Sequence, residues 1–293
     1  MQKIVPHLWF DKEAVEAAEF YASVFPNSRV KNVNVIHDTP SGDCDVVSFE
    51  VMGHEFAAIS AGPYFKINPS ISFFVGRETK EEVDSLWEKL SEGGKALMPL
   101  DSYPFSERYG WIEDKYGVSW QLILTKPEGD MRPAIVPSLL FVGDVYGKAK
   151  EAMDYYVSIF KNSKKGTEAL YGPGQEPNKE GTLMFGDFML EGVWLAAMDG
   201  GGEHKFSFNE GVSLMVKCDS QEEIDYYWQL SAVPESEQCG WLKDKYGVSW
   251  QIVPTALDQF LETGSEEQKK RVTEAFLKMK KFDIAKLEEA ARV

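Results

Sequence analysis

Two rhythms of apolar and polar positions alternate along the chain. Lys3 to Phe10 (KIVPHLWF) is a short β-rich run that stops at Asp11, which predicts a strand. Ala14, Ala17, Tyr21 and Val24 then fall at three- and four-residue spacing. That spacing predicts a helix capped by Asp11 and stopped by Pro26 and Asn27. Val30 to Ile36, Asp45 to Val51 and Glu55 to Ser60 read as three strands separated by Ser-Gly and Gly-His turns. The pattern restarts with a strand at Ile71 to Val75. A helix over Thr79 to Leu90 follows, with Val83, Leu86, Trp87 and Leu90 on its buried face, and Gly93-Gly94 ends it. Strands near 96–100, 107–112 and 118–124 complete the second round. The unit is βαβββ, used twice before residue 125. Strand outweighs helix and no long βαβ alternation is present, so an α+β fold is expected over a doubly wound sheet.

The whole pattern then recurs. GWIEDKYGVSWQLI (110–123) and GWLKDKYGVSWQIV (240–253) agree at ten of fourteen positions, 130 residues apart. KIVPHLWF is answered by AIVPSLLF (134–141), and ISFFVGRETKEEVDSLW (71–87) by VSLMVKCDSQEEIDYYW (212–228). Matching elements in one order predict two tandem modules, 1–125 and 131–254, joined by KPEGDMRP, with a tail over 255–293. The copies differ. Trp87 and Trp111 stand 24 positions apart, Trp228 and Trp241 only 13, so copy one carries a hairpin that copy two largely lacks. In the tail, Ser265 with Gln268 forms a capping box before a Val272, Ala275, Phe276, Met279 stripe. That stripe predicts helices packed on the chain's own modules, chiefly the second.

Composition narrows the functions. The chain of 293 residues has a formal net charge of −16, and the tail's charges balance, so the excess lies in the modules. A phosphate backbone would be repelled, which argues against nucleic-acid binding. No run approaches the roughly 18–20 apolar residues of a membrane span. The first residues contain no secretory h-region, and Cys44, Cys218 and Cys239 form no CxxC pair or disulfide pattern. A cytoplasmic protein is expected. The glycine-rich runs at 172–175 and 199–203 lack a strand–GxGxxG–helix context, which disfavours an S-adenosylmethionine methyltransferase.

PHLWFDKEAVEAAEFYASVFPNS, ISFFVGRETKEEVDSLWEKLSEGG and GWIEDKYGVSWQLI resemble the PhnB-like branch of the glyoxalase/bleomycin-resistance/dioxygenase (vicinal oxygen chelate) superfamily. The resemblance covers both modules and the tail. It implies that each module is a pair of βαβββ units forming an open half-barrel. In that superfamily a divalent metal sits inside the half-barrel and takes two neighbouring oxygens of the substrate. The metal positions fall here on His7, Ser72 and Gln121 in copy one, and on Ser138, Ser213 and Gln251 in copy two. His7 is a competent ligand, Gln121 a weak neutral one and Ser72 a poor one, so a metal is expected only with difficulty. His7 and Gln121 are expected to share one cavity. Glu55 is the candidate catalytic base or further ligand, with Trp194 at its place in copy two. Trp9, Ser72, Phe74, Tyr103 and Tyr109, with Phe65 and Phe105, are the candidate lining of a cleft for a small organic molecule. The resemblance leaves two readings open. One is a metal-assisted lyase or dioxygenase; the other is a non-catalytic, drug- or metabolite-sequestering protein whose acidic surface suits a cationic guest. The resemblance implies that many relatives with one module dimerise to build the cleft. The duplication supplies that pairing within one chain, so a monomer is expected.

Overall fold

The computed structural model describes residues 2–126 and 131–292; residues 127–130 of the segment joining the modules lie outside the described residues. Copy one runs β1 (Ile4–Phe10), α1 (Ala14–Val24), β2 (Arg29–Thr39), β3 (Gly42–Val51) and β4 (His54–Ser60). It continues with β5 (Ile71–Arg77), α2 (Lys80–Ser91), β6 (Lys95–Tyr103), β7 (Ser106–Glu113) and β8 (Ser119–Leu124). Copy two runs β9 (Ile135–Phe141), α3 (Ala149–Ile159), β10 (Lys164–Leu170), β11 (Leu183–Leu190) and β12 (Val193–Asp199). Then come β13 (Val212–Cys218), α4 (Gln221–Tyr227), β14 (Trp241–Lys243) and β15 (Ser249–Pro254). The fold is α+β, with two tandem modules and three C-terminal helices: α5 (Thr255–Thr263), α6 (Glu266–Phe276) and α7 (Ile284–Arg292). The last unit has one strand fewer than the others. Its 13-residue spacing leaves no room for a counterpart of the β6–β7 hairpin.

Strand pairing runs across the copies. The first sheet has the order β14-β15-β13-β1-β4-β3-β2, and the second β10-β11-β12-β9-β5-β8-β7-β6. Each sheet therefore joins one unit of copy one to one unit of copy two, through the antiparallel pairs β1–β13 and β5–β9. The two sheets pack by their backs. Leu8, Phe56, Phe73 and Trp120 belong to one buried cluster, in which Phe56 meets Phe73 edge-on at 5.0 Å. Side chains alternate along a strand, so the neighbours His7, Glu55, Ser72 and Gln121 face the opposite, concave sides.

Local devices fix this arrangement. Ala14 at the start of α1 gives its N–H to Ser60 Oγ at 3.1 Å, so a residue of β4 does the work expected of Asp11. Ser265 caps α6 by accepting from the Gln268 N–H. Val272, Phe276, Phe282 and Leu287 of the tail are buried. The tail docks through Cys239 N–H to Met279 O and Gly240 N–H to Lys280 O, and through Gln221, which accepts from the Ile284 N–H. It lies mainly on the second module, while α6 also reaches β2 of the first. Gly240 is the tight point. It has a φ of +83°, and a Cβ there would stand 2.4 Å from the Phe282 ring. Gly240→Ala is expected to cost about 2 kcal/mol or more, read as a lower urea midpoint for the full chain.

Candidate functional site

The candidate site residues fall on the concave faces of two different sheets, each face a candidate cleft, and the two sets are chemically different. The cleft of the first sheet is built on β1, β4, β13, β14 and β15. His7 pairs with Ser213 across β1–β13 and with Ala57 across β1–β4. Gln251 on β15 donates from Nε2 to Ser213 Oγ at 2.9 Å. Trp241 on β14 meets His7 edge-on at 5.5 Å and Trp9 at 6.0 Å. Trp9 packs on Phe65 at 5.0 Å and donates from Nε1 to Gly62 O at 2.8 Å. Glu55 accepts from Lys31 at 3.2 Å at the rim. His7 is only 4% exposed, and burial lowers its pKa to about 4, so the imidazole is neutral near pH 7. Its Nδ1 is buried with no hydrogen-bond partner.

The cleft of the second sheet is built on β5, β7, β8, β9, β11 and β12. Gln121 Nε2 donates to Ser72 Oγ at 2.8 Å, and Tyr109 OH donates to Gln121 Oε1 at 2.6 Å. Burial, then the neighbouring Tyr103, raises the Tyr109 pKa, which keeps the phenol protonated as a donor. Ser138 faces Ser72 across β9–β5, and its buried Oγ has no partner. Phe74 meets Phe185 edge-on at 5.8 Å, and Tyr103 meets Tyr109 at 5.5 Å. Phe105 stacks on Tyr103 but is 61% exposed. At the far wall Arg132 donates from Nε to Asp187 at 2.6 Å, and its guanidinium lies 3.7 Å from the centre of the Trp194 ring.

The expectation that His7 and Gln121 share a cavity is therefore corrected. His7, Trp9 and Glu55 belong to one cleft, and Ser72, Phe74, Tyr103, Tyr109 and Gln121 to the other. The cause is the cross-copy pairing, which sets β1 beside β13 and leaves β8 beside β5. The donor sets do not fit a resident divalent metal. The first cleft offers one imidazole, a serine, an amide and, at its rim, the Glu55 carboxylate already paired with Lys31; the second offers Ser72, Ser138 and Gln121, and its one carboxylate, Asp187, is paired with Arg132. Among the described residues, no three His, Cys, Asp or Glu side chains are grouped to hold a metal ion.

Sequence reasoning did not single out Trp241, Arg132, Asp187 or Asp114. Asp187 had a signal, a charge inside the apolar run LMFGDFML (183–190). Arg132 had none, since it stands in the polar joining segment.

Two back-to-back curled sheets built from βαβββ units place the chain in the glyoxalase/dioxygenase class of fold. Glyoxalase I from Zea mays shares it over 90% of this chain and 98% of that one, at 10% identity and a TM-score of 0.56. The chain belongs to the PhnB-like family described as 3-demethylubiquinone-9 3-methyltransferase, whose model matches residues 2–123 and again 133–253. A Bacillus cereus PhnB protein is 40% identical over 42% of this chain and 100% of its own, with a TM-score of 0.40. A Bacillus subtilis protein described as a candidate dioxygenase is 12% identical over 97% of this chain and 94% of its own, at a TM-score of 0.49. A search of curated proteins finds no match. No helix among the described residues is long and apolar enough to cross a membrane.

Proposed function

We propose that this chain binds small, largely apolar organic molecules in its two clefts and sequesters them without a resident metal. The observation that carries this reading is the floor of each cleft. In each cleft two of the three positions that would hold a metal are a serine and a glutamine bonded to each other, Ser213–Gln251 and Ser72–Gln121. Gln121 has both ends of its amide engaged, one by Ser72 and one by Tyr109. Such a floor orients a neutral polar group and gives a metal no anionic anchor. The walls are aromatic, which suits a flat guest. The net charge of −16 favours a cationic one.

Methyl transfer, which the family description names, is not part of this reading. The glycine run at 199–203 leads from β12 into a loop and then β13, and the run at 172–175 lies in the loop between β10 and β11. Neither opens a helix, so neither forms a dinucleotide-type phosphate turn. The test is calorimetric titration of the full chain with aromatic amines and their neutral isosteres. Amines are expected to bind more tightly, with the difference shrinking as salt rises and no change on adding a chelator. A stoichiometric metal in the purified protein, whose removal abolishes binding or a measured turnover, would overturn the reading in favour of the lyase or dioxygenase.

A further inference from the structure

The internal repeat provides a reference conformation for every residue of the first cleft. Trp111 and Trp241 are equivalent, as are Ser119 and Ser249, each pair 130 residues apart. Trp111 donates from Nε1 to Ser119 Oγ at 2.6 Å. Trp241 has turned away from Ser249. Its indole lies edge-on against His7 at 5.5 Å and against Trp9 at 6.0 Å. Ser249 Oγ is left buried with no partner, and so is His7 Nδ1. Strands β15 and β13 lie between β14 and β1, so the indole spans the floor of the cleft. A second difference between the copies accompanies this. Tyr109, whose phenol sits on Gln121, is matched by Cys239, which turns its thiol to the Phe276 carbonyl in the tail at 3.6 Å. The first cleft has no phenol on its glutamine, and an indole reaches across instead.

We propose that Trp241 is the gate of this cleft: its indole alternates between a closed position against His7 and Trp9 and an open one bonded to Ser249 Oγ. The two positions compensate each other. The closed one gains edge-to-face aromatic contacts. The open one satisfies a buried hydroxyl. Opening withdraws the indole from the His7 ring, whose Nδ1 has no partner, and from Trp9, which packs on Phe65. The guest admitted is therefore a flat aromatic molecule carrying one hydroxyl or N–H that pairs with that nitrogen. This choice of guest rests on the small-molecule reading above; the gate itself does not.

The experiment uses the full chain labelled with 5-fluorotryptophan, with the Trp241 fluorine line assigned by its loss in Trp241→Phe. Exchange broadening of that line is expected in the wild-type protein and is expected to vanish in Ser249→Ala. Ser119→Ala should leave it unchanged. Phenol is the probe for the guest, with toluene as control. Phenol is expected to shift the His7 ring protons, and toluene to do so less. Trp241→Ala removes the closed position and should tighten phenol about tenfold or more, the reciprocal of a minor open state populated at about one tenth or less. Ser249→Ala should weaken it. A Trp241 line that is sharp in the wild type and unaffected by Ser249→Ala overturns the gate. Broadening that responds to Ser249, with His7 indifferent to phenol, leaves the gate standing and removes the small-molecule reading of this cleft.

Discussion

Replacing Asp114 or Asp244 by alanine is expected to cost about 3–5 kcal/mol each, among the largest single-site losses in the chain. Asp114 lies in the turn of the DKYGVSWQ repeat and is 3% exposed. Its Oδ2 accepts from Tyr21 OH at 2.9 Å and Trp120 Nε1 at 2.8 Å; its Oδ1 accepts from the N–H groups of Tyr116 and Val118. Asp244 repeats the set with Tyr156, Trp250, Tyr246 and Val248. Burial raises both carboxyl pKa values, and the four donors oppose that shift. Alanine would leave a phenol, an indole and two amides unpaired in the core. Asparagine is no rescue, because each oxygen already faces two donors and an amide NH₂ must oppose one of those pairs. Urea unfolding of Asp114→Ala, Asp114→Asn and the matching Asp244 variants checks this. Losses below about 1 kcal/mol would show that the carboxylates are dispensable. The network also holds the clefts. Asp114 ties α1 to Trp120, whose neighbour Gln121 floors one cleft; Asp244 ties α3 to Trp250, beside Gln251 in the other.

The repeated block is legible as a closing turn and strand because glycine at 117 and 247 can take the positive φ that both adopt, and strand alternation places Trp120 and Gln121 on opposite faces. The role of its aspartate was not legible. Nothing local to the turn reveals that a tyrosine from α1 and a tryptophan six residues on will converge on it. The units themselves were readable from period and punctuation. The pairing between units was not, for a physical reason. β1 could pair with the first strand of the next unit in its own copy or with that of the other copy, and the two candidates, ISFFV and VSLMV, offer nearly the same edge. Local propensity does not choose between them; the three-dimensional closure of the whole chain does. That choice moved His7 from the company of Ser72 and Gln121 to that of Ser213 and Gln251. It also brought Trp241 into contact with a histidine 234 positions away in sequence.

Between pH 6.5 and 4 the protein is expected to lose stability steeply, and His7 and His54 are expected to account for much of the loss. Both imidazoles are buried, and burial lowers each pKa from 6.5 to about 4. His54 also has the Gln2 amide nitrogen 3.1 Å from its Nε2, a donor facing a nitrogen that must stay unprotonated to accept. The folded pKa lies below the unfolded one, so in this window the unfolded chain binds protons that the folded chain refuses. Stability therefore rises with pH across it. The contribution is fully present above pH 6.5 and is lost as pH falls toward 4. At pH 5 the loss is about 2 kcal/mol for each histidine, on the basis of roughly 1.4 kcal/mol per pKa unit. Carboxylates add their own acid sensitivity, so the informative quantity is a difference. Urea midpoints at pH 7 and pH 5 are compared for the wild-type chain, His7→Gln and His54→Gln. Each variant should fall less between the two pH values than the wild type, by about 2 kcal/mol. Equal falls would show that these imidazoles reach water or find a counter-charge when protonated. For His7 that result would bear on function too, because an imidazole that takes up a proton at pH 5 is not sealed beneath Trp241.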